Sequence, residues 1–309
     1  MDPDDPVIRR LIGLGERYDQ IRAVILTSGR ANPSAPCDVF SDYDSELYVS
    51  DFAPFTESDE WFEALGPVLV VCRLESEEEG DHWHTRLVLY EDGTKIDFQI
   101  GHLDTLKKIC SMASLPDDYD IGYRVLLDKD GVTASLKSPT YKAYIPAVPT
   151  ETEYASVVNG FWWNSTYVSK YLWRNDLMAV KFMLDHGLKQ DELRRMLEWS
   201  IEIDRGWTWK PGHYGCGLPK ALDPDIAKEL VETYAGGDIE ELWESLFRTT
   251  ALFRKAAIRV AESLGYEYLH DLDKRVTIYH QTVRALDRQT TRREDLAKLL
   301  EEAYKRPPS

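Results

Sequence analysis

The signals that predict β-strands are confined to the first part of this 309-residue chain. The clearest are two apolar-polar alternating runs, 85–90 and 95–100, on either side of Asp92-Gly93. An Asp-Gly pair between two such runs is typical of a β-hairpin. After the proline-rich stretch at 138–150, strand signals largely vanish and apolar residues recur at helical spacing. This change in pattern predicts two domains of different architecture.

The predicted fold class is α+β. An N-terminal domain, 1–145, contains a mixed β-sheet flanked by helices, and a C-terminal domain, 146–309, is an all-helical bundle. Further strands of the first domain are predicted at 22–26, 47–49 and 68–72, with an acidic loop at 75–81. Helices of the second domain are predicted at 154–174, 177–186, 190–204, 223–234, 239–264, 271–286 and 292–304.

The charge balance is strongly acidic, with a formal net charge of −17. A general binder of nucleic acid or of an anionic membrane needs a basic face, so this composition argues against both. It suits a cationic small substrate, although solubility alone also explains it. No apolar run is long enough to span a bilayer, and the acidic N-terminus lacks the apolar core of a signal peptide. The four dispersed cysteines, which form no close metal-binding pair, are typical of a cytoplasmic protein.

Two aspartates, Asp42 and Asp44, stand at the start of a predicted strand. Residues i and i+2 of a strand face the same way, so both carboxylates project together. Their ionised forms repel unless a cation lies between them, and Mg²⁺ prefers such oxygen ligands. The alternative is that Asp42 caps a turn and Asp44 is the solvated end of a strand.

A third acid, Asp97, lies on a later amphipathic strand whose residues Ile96, Phe98 and Ile100 face a core. Lys95, Asp97 and Gln99 therefore share the other face. Three acids on one sheet face can hold two metal ions, which clamp the attacking and leaving oxygens of a phosphoryl displacement. Alternatively, Asp97 is simply exposed.

The small-residue turn Ser28-Gly29-Arg30 follows the first predicted strand. Its backbone N–H groups and the Ser28 hydroxyl suit a phosphate, and Arg30 is a candidate for bidentate contact with a γ-phosphate. The motif is weak alone and gains weight from the aspartate pair downstream.

These motifs resemble the polymerase-β-like nucleotidyltransferases, and among them the aminoglycoside 6-adenylyltransferases, or streptomycin adenylyltransferases. The resemblance rests on SGRANP at 28–33 and DYD at 42–44. It continues through FWWNSTYVSKYLWRNDLMAVKFMLD, RRMLEWSIEID and DIEELWESLFRTTALFRKAAIRVAESLGYEY, and so covers most of the chain. One departure is that the family's Gly-Ser is Ser28-Gly29 here.

The resemblance implies a nucleotidyltransferase catalytic domain followed by a helical substrate-binding domain. It implies ATP as donor, Mg²⁺ as cofactor, and transfer of AMP to a hydroxyl of streptomycin with release of pyrophosphate. Asp42 and Asp44 match the family's metal ligands and Asp97 its third carboxylate. Asp97 is also a candidate general base, although an acid of the helical domain is an alternative.

In the helical domain, Lys170 and Arg174 are i, i+4 neighbours and are candidates to close over the triphosphate. Trp163 is a candidate to stack on a guanidinium of the acceptor, and Glu198 and Asp204 are candidates to pair with its cations. For Lys170, Arg174 and Trp163, a structural or solvated role is the alternative. The protein is expected to be a monomer or homodimer.

Two other functions stay open on the sequence. One is a nucleotidyltransferase for another small acceptor. The other is a non-catalytic nucleotide- or aminoglycoside-binding homologue, because of the Ser28-Gly29 change. The presence of three mutually repelling acids argues against the second.

Overall fold

A computed structural model describes residues 5–78 and 80–305 of the chain. The chain divides into two compact units, Met1–Tyr144 and Ile145–Ser309. The first residues of the acidic N-terminus, where a signal peptide was not expected, lie outside the described residues. Within the described ranges, no helix is both long and apolar enough to cross a membrane.

The first unit is built on one six-stranded sheet. Its spatial order is β3-β4-β5-β2-β1-β6. The strands are β1 (Ile21–Thr27), β2 (Tyr43–Val49), β3 (Val68–Glu78), β4 (Asp81–Tyr90), β5 (Lys95–His102) and β6 (Tyr123–Asp128). The β2–β5 pair is parallel and the other four pairs are antiparallel. The predicted mixed sheet is therefore confirmed.

Helices cover both faces of this sheet. They are α1 (Pro6–Arg17), α2 (Ser28–Ala31), α3 (Ala53–Thr56), α4 (Glu60–Glu63), α5 (Leu103–Ser111) and α6 (Asp117–Asp120), with a 3₁₀ helix at Val132–Ser135. The apolar side chains of α1 pack with Leu47, Phe98 and Ile100 on one face. Those of α5 and α6 pack with Ala23, Ile25 and Tyr48 on the other. Because both faces are covered, β1 is buried almost throughout, as its unbroken apolar run predicts.

The prediction of an acidic loop at 75–81 is wrong. Strands β3 and β4 remain paired as far as Glu78 opposite Asp81, and Glu75 lies opposite His84. The acidic side chains of β3 are exposed on the edge strand of the sheet. The acidic composition of this segment therefore indicates that its side chains face solvent and not that its backbone is irregular. Strand β6, short and half-exposed at the opposite edge of the sheet, was not predicted.

The second unit is all-helical among its described residues, which confirms the predicted bundle. Its α-helices are α7 (Glu151–Trp173), α8 (Leu177–Lys181), α9 (Arg194–Arg205), α10 (Leu218–Ala221), α11 (Pro224–Glu232), α12 (Ile239–Leu264), α13 (His270–Ala285) and α14 (Arg293–Lys305). A π-helix spans Phe182–Leu193, and a 3₁₀ helix spans His213–Gly215. The Thr150 side chain and Glu153 form a capping box that begins α7.

The predicted break between residues 186 and 190 is absent. Helical structure runs from α8 through the π-helix into α9. The buried residues Leu184, Leu188 and Leu193 are spaced by four and then five positions. A π-helix forms i→i+5 hydrogen bonds and so has more residues per turn than an α-helix, which keeps all three on the core side despite the wider second interval. The change of spacing therefore reflects a change of helix type.

The sheet predicts a sharp contrast between two adjacent positions of β5. Phe98 is fully buried against Trp61, with ring centroids 5.0 Å apart, whereas Gln99 is exposed. Phe98→Ala should lower the free energy of unfolding of the first unit by about 3–5 kcal/mol through loss of packing and the cavity left behind. Gln99→Ala, the matched control, should change it by less than about 0.5 kcal/mol. Urea unfolding, fitted with a separate transition for each unit, measures both, and equal effects would contradict the assigned faces.

Candidate functional site

The parallel pairing of β2 with β5 places Asp44 directly beside Asp97. The two are register partners, with Tyr43 opposite Ile96 and Ser45 opposite Phe98 on either side. Paired residues of neighbouring strands point to the same face. Asp42, one residue before β2, falls beside Lys95 by continuation of the same register. The structure therefore brings together the three acids predicted from the sequence.

Lys95 joins this group and was not assigned a role from the sequence. Its Nζ donates to Asp42 Oδ2 at 2.5 Å and to Asp97 Oδ2 at 3.1 Å. The i, i+2 spacing from Asp97 indicated that both share a face, but only the strand pairing brings Asp42 into reach. We name Asp42, Asp44, Asp97 and Lys95 the carboxylate–lysine cluster.

The electrostatics of the cluster are unfavourable for carboxylates. Burial, followed by repulsion from Asp97 and Asp42, raises the pKa of Asp44 to about 6. Burial also raises the pKa of Asp97, although hydrogen bonding to Lys95 opposes this shift. Asp97 Oδ1 is buried and has no hydrogen-bond partner. A group of acids held in this state gains strongly from an added cation.

The donor chemistry of the cluster fits a magnesium ion. Carboxylate oxygens are its preferred protein ligands, and the orphaned Asp97 Oδ1 has a lone pair without a donor. As the side chains stand, no three His, Cys, Asp or Glu residues of the described ranges converge on a single metal position. In the cluster, Asp42 and Asp97 both contact the Lys95 ammonium. The carboxylates suit Mg²⁺ by donor type, and Lys95 occupies one oxygen of each of these two.

The predicted turn after β1 forms the short helix α2, which begins at Ser28. Ser28 has a left-handed backbone, with φ 63°, and its hydroxyl favours the ionised form of Asp44, which opposes the raised pKa of that carboxyl. At Gly29, an added Cβ would meet no atom within 4 Å. A serine would therefore fit at the position where the family pattern has one.

Arg30 organises the segment that carries Asp42. Its Nε donates to the carbonyl oxygens of Ser41 and Asp42, both at 3.1 Å, and a terminal nitrogen donates to Ser41 O at 2.7 Å. Its guanidinium carbon lies 3.8 Å from the ring centroid of Tyr43. In this structure Arg30 thus positions a candidate metal ligand. Its contact with a phosphate stays a prediction.

Three candidate residues of the second unit lie on or next to α7. Trp163 is 66% exposed. The Lys170 Nζ lies 4.1 Å from the Tyr167 ring centroid and 4.6 Å from that of Tyr171, which are cation–π distances. Arg174 is exposed and caps the C-terminus of α7. Lys170 and Arg174 are therefore a helical residue and a cap residue, and their role toward a triphosphate stays a prediction.

The two acidic candidates of the second unit are already paired with arginines. Glu198 is buried and accepts from Arg194 at 2.7 Å, and Asp204 forms an ion pair with Arg259. A carboxylate that is neutralised in this way attracts a further cation less strongly.

Glu46, which is buried, and Glu192, which has one buried carboxylate oxygen, were not singled out from the sequence. Glu46 Oε2 accepts from the hydroxyls of Tyr48 and Tyr119, at 2.6 and 2.5 Å, and burial raises its pKa to about 7. In the second unit, Glu192 accepts from Asn164 at 2.9 Å, and its Oε2 is buried without a partner. Burial raises the pKa of Glu192 to about 7. The i, i+2 spacing of Asp44 and Glu46 is a signal that both lie on one face of β2. The hydrogen-bond partner of Glu46, Tyr119, is too distant in sequence to be predicted from a local pattern.

The raised pKa of Asp44 predicts a pH-dependent penalty on folding in the absence of metal. The folded state holds the Asp44 proton more tightly than the unfolded state, so this contribution to stability is lost as pH rises from about 4 through about 6. Asp44→Asn should therefore be more stable than the wild type above pH 7, by at most about 3 kcal/mol at 1.36 kcal/mol per pKa unit. The difference should shrink as the pH falls toward 4.

Thermal unfolding in EDTA at several pH values measures this difference. Glu16→Gln, an exposed acid of α1, is the control and should show no comparable trend. A pH-independent difference between Asp44→Asn and the wild type would contradict the assigned electrostatics.

Comparison with known proteins shows which family the chain belongs to. The family described as streptomycin adenylyltransferase matches residues 1–283. The aminoglycoside 6-adenylyltransferase of Bacillus subtilis (strain 168) is 33% identical over 271 residues, which cover 86% of this chain and 92% of that protein. That of Campylobacter jejuni is 30% identical over 254 residues, covering 81% and 85%. A crystal structure of an aminoglycoside 6-adenyltransferase from Bacillus subtilis is 28% identical, covers 90% of this chain and 98% of its own, and gives a TM-score of 0.45. The resemblance found in the sequence is confirmed: the chain belongs to the streptomycin adenylyltransferase family of nucleotidyltransferases.

Proposed function

We propose that this protein transfers AMP from ATP, with Mg²⁺, to a hydroxyl of an aminoglycoside and releases pyrophosphate. Streptomycin is the first acceptor to test. The observation that carries the proposal is the register of β2 and β5, which sets Asp44 beside Asp97 with Asp42 next to them. Membership of the family supports adenylyl transfer as the reaction, and the relatives' printed names support an aminoglycoside as acceptor.

Asp42, Asp44 and Asp97 are the residues proposed to hold Mg²⁺. When bound, the ion would supply charge neutralisation for the triphosphate and its pyrophosphate leaving group. The protein's own contribution is positioning. Arg30 fixes the backbone at Ser41 and Asp42. This contact restricts the freedom of Asp42, one of the proposed ligands, before any substrate arrives.

The proton of the attacking hydroxyl needs an acceptor. Asp97 is the first candidate, because its Oδ1 is buried and unpaired and its pKa is raised by burial. Glu192 of the second unit is the alternative. It also has an unpaired buried oxygen, and its pKa of about 7 suits a general base at neutral pH.

The donor and acceptor are assigned as follows. The backbone at Ser28 and Gly29 and the side chains of Arg30, Lys170 and Arg174 are proposed for the triphosphate. Trp163 is proposed for the acceptor, since its exposed ring offers a face for a guanidinium group. Among the acids of the second unit, Glu192 suits a cationic acceptor better than Glu198 or Asp204, because those two already pair with arginines.

Release of pyrophosphate tests this proposal. Wild-type protein with Mg-ATP should release pyrophosphate when streptomycin is added, and Asp44→Asn should lower the rate by about 100-fold or more, as expected for loss of a charge-stabilising group at the reacting centre. Asp51→Asn is the matched control, because Asp51 is exposed and its carboxylate accepts from the backbone of Ala53. It should retain the wild-type rate.

The outcomes separate the open alternatives. Release with other aminoglycosides but not with streptomycin would change the acceptor and keep the reaction. Binding of ATP and metal without release for any acceptor would favour a non-catalytic homologue. Equal rates for Asp44→Asn and the wild type would refute the proposed site.

A further inference from the structure

The ammonium of Lys95 lies between two of the three proposed metal ligands. It contacts Asp42 Oδ2 and Asp97 Oδ2 at 2.5 and 3.1 Å. The three side chains are only partly exposed, at 39% for Lys95, 34% for Asp42 and 20% for Asp97. These contacts are therefore less screened by solvent than those of a typical surface ion pair.

The strand pairing leaves Lys95 little alternative. Asp44 and Asp97 form one register pair of two acids. Two residues earlier in each segment, on the same face, are Asp42 before β2 and Lys95 in β5. The strand pairing that creates the site therefore also places Lys95 beside Asp42 and two residues from Asp97.

The charges of the cluster show what Lys95 does. By formal charge, three carboxylates with one ammonium carry −2, whereas the carboxylates alone would carry −3. The ammonium uses one oxygen of Asp42 and one of Asp97. A divalent cation shared by these residues needs oxygens of the same side chains, so the ammonium and the metal compete for them.

We propose that Lys95 is a positioning residue that acts as a built-in cation between Asp42 and Asp97 and lowers the affinity of the nucleotide-free protein for a divalent ion. Metal binding then depends on the nucleotide, because an incoming triphosphate offers Lys95 an alternative anionic partner as the metal takes the carboxylates. This inference rests on the proposed function, since it takes the same three acids as metal ligands.

A purely structural salt bridge makes a different prediction. If Lys95 only stabilised the fold or pre-arranged the carboxylates for metal, then its removal would leave metal affinity unchanged or weaken it. If Lys95 competes with the metal, then its removal must strengthen metal binding. The sign of the change therefore separates the two roles.

Binding of Mn²⁺ alone, followed by the electron paramagnetic resonance signal of the free ion, measures that sign without nucleotide, acceptor or turnover. Lys95→Met should bind Mn²⁺ at least about tenfold more tightly than the wild type, since it removes both a competing cation and a repulsive charge. Lys95→Arg keeps the charge and should bind like the wild type. No change or weaker binding in Lys95→Met would overturn the proposal.

The matched control is Lys107→Met. Lys107 lies on α5 of the same unit and pairs with Asp104 at 2.8 Å, so the variant removes the same charge without touching the cluster. Its affinity for Mn²⁺ should stay close to that of the wild type. An equal gain in both methionine variants would mean that only net charge matters, and this too would overturn the proposal.

Two further measurements protect the test from a folding defect. Circular dichroism first establishes that each variant is folded, and Lys95→Gln replaces Lys95→Met if the latter is not. The wild type itself provides the second measurement, by comparing Mn²⁺ alone with Mn²⁺ and α,β-methylene-ATP. In the wild type, the nucleotide analogue should increase the affinity for Mn²⁺ more than it does in the folded Lys95 variant. If neither variant folds, the analogue should increase the affinity of the wild type by at least about tenfold. No increase in the wild type would overturn the proposal.

The result is distinguishable from a failure of the proposed function. Tighter Mn²⁺ binding in Lys95→Met without any AMP transfer by the wild type would refute the proposed reaction and keep the role of Lys95. AMP transfer by the wild type with no change in Mn²⁺ affinity would keep the reaction and refute the role of Lys95.

Discussion

The parallel pairing of β2 with β5 is the constraint on which the site depends. It makes Asp44 the direct neighbour of Asp97 and brings Lys95 to Asp42. A shift of one residue in this register would turn the acids of one strand to the opposite face. The alternate residues Leu47, Phe98 and Ile100 oppose such a shift, because they are buried in the core on the other side of the sheet. The hydrophobic core thus fixes the geometry of a charged site that is unfavourable by itself.

The neighbours of the cluster limit this unfavourable charge without removing it. The Ser28 hydroxyl favours the ionised form of Asp44, and Lys95 contacts Asp42 and Asp97, yet the pKa of Asp44 remains raised to about 6. Arg30 acts on the backbone of Asp42 and leaves its carboxylate to Lys95. Groups held in an unfavourable state by a rigid scaffold are typical of functional sites. Our interpretation is that the protein keeps these acids close together because a cation brought with the substrate relieves their repulsion.

Much of the first unit could be predicted from local pattern. The two-residue period of strands placed Asp42 and Asp44 on one face of their strand. It also placed Asp97 and Phe98 on opposite faces of another strand, and Asp92-Gly93 marked a hairpin. These features depend on neighbours in sequence. The continuation of β3 and β4 into the acidic segment could not be predicted, because exposed acids on an edge strand have the composition of a loop.

Other features depend on residues that are distant in sequence. The contact of Lys95 with Asp42 follows only from the parallel register, which no single-strand pattern specifies. The hydrogen bond from Tyr119 to Glu46 joins positions 73 residues apart. In the second unit, the π-helix changes the phase of the apolar residues, so a fixed helical period predicted a break where the structure has none. The acids could therefore be predicted from the sequence. The contact of Lys95 with them and the buried Glu46–Tyr119 pair could be identified only from the structure.

We propose that the register of β2 and β5 builds a cation site from Asp42, Asp44 and Asp97. X-ray diffraction from crystals grown with Mn²⁺ and α,β-methylene-ATP tests it most directly, because the anomalous signal locates the manganese without assumptions about its ligands. We expect an anomalous peak within coordination distance of these three carboxylates, with the Lys95 ammonium moved from between Asp42 and Asp97. Nucleotide bound elsewhere, or a manganese peak away from β2 and β5, would contradict it.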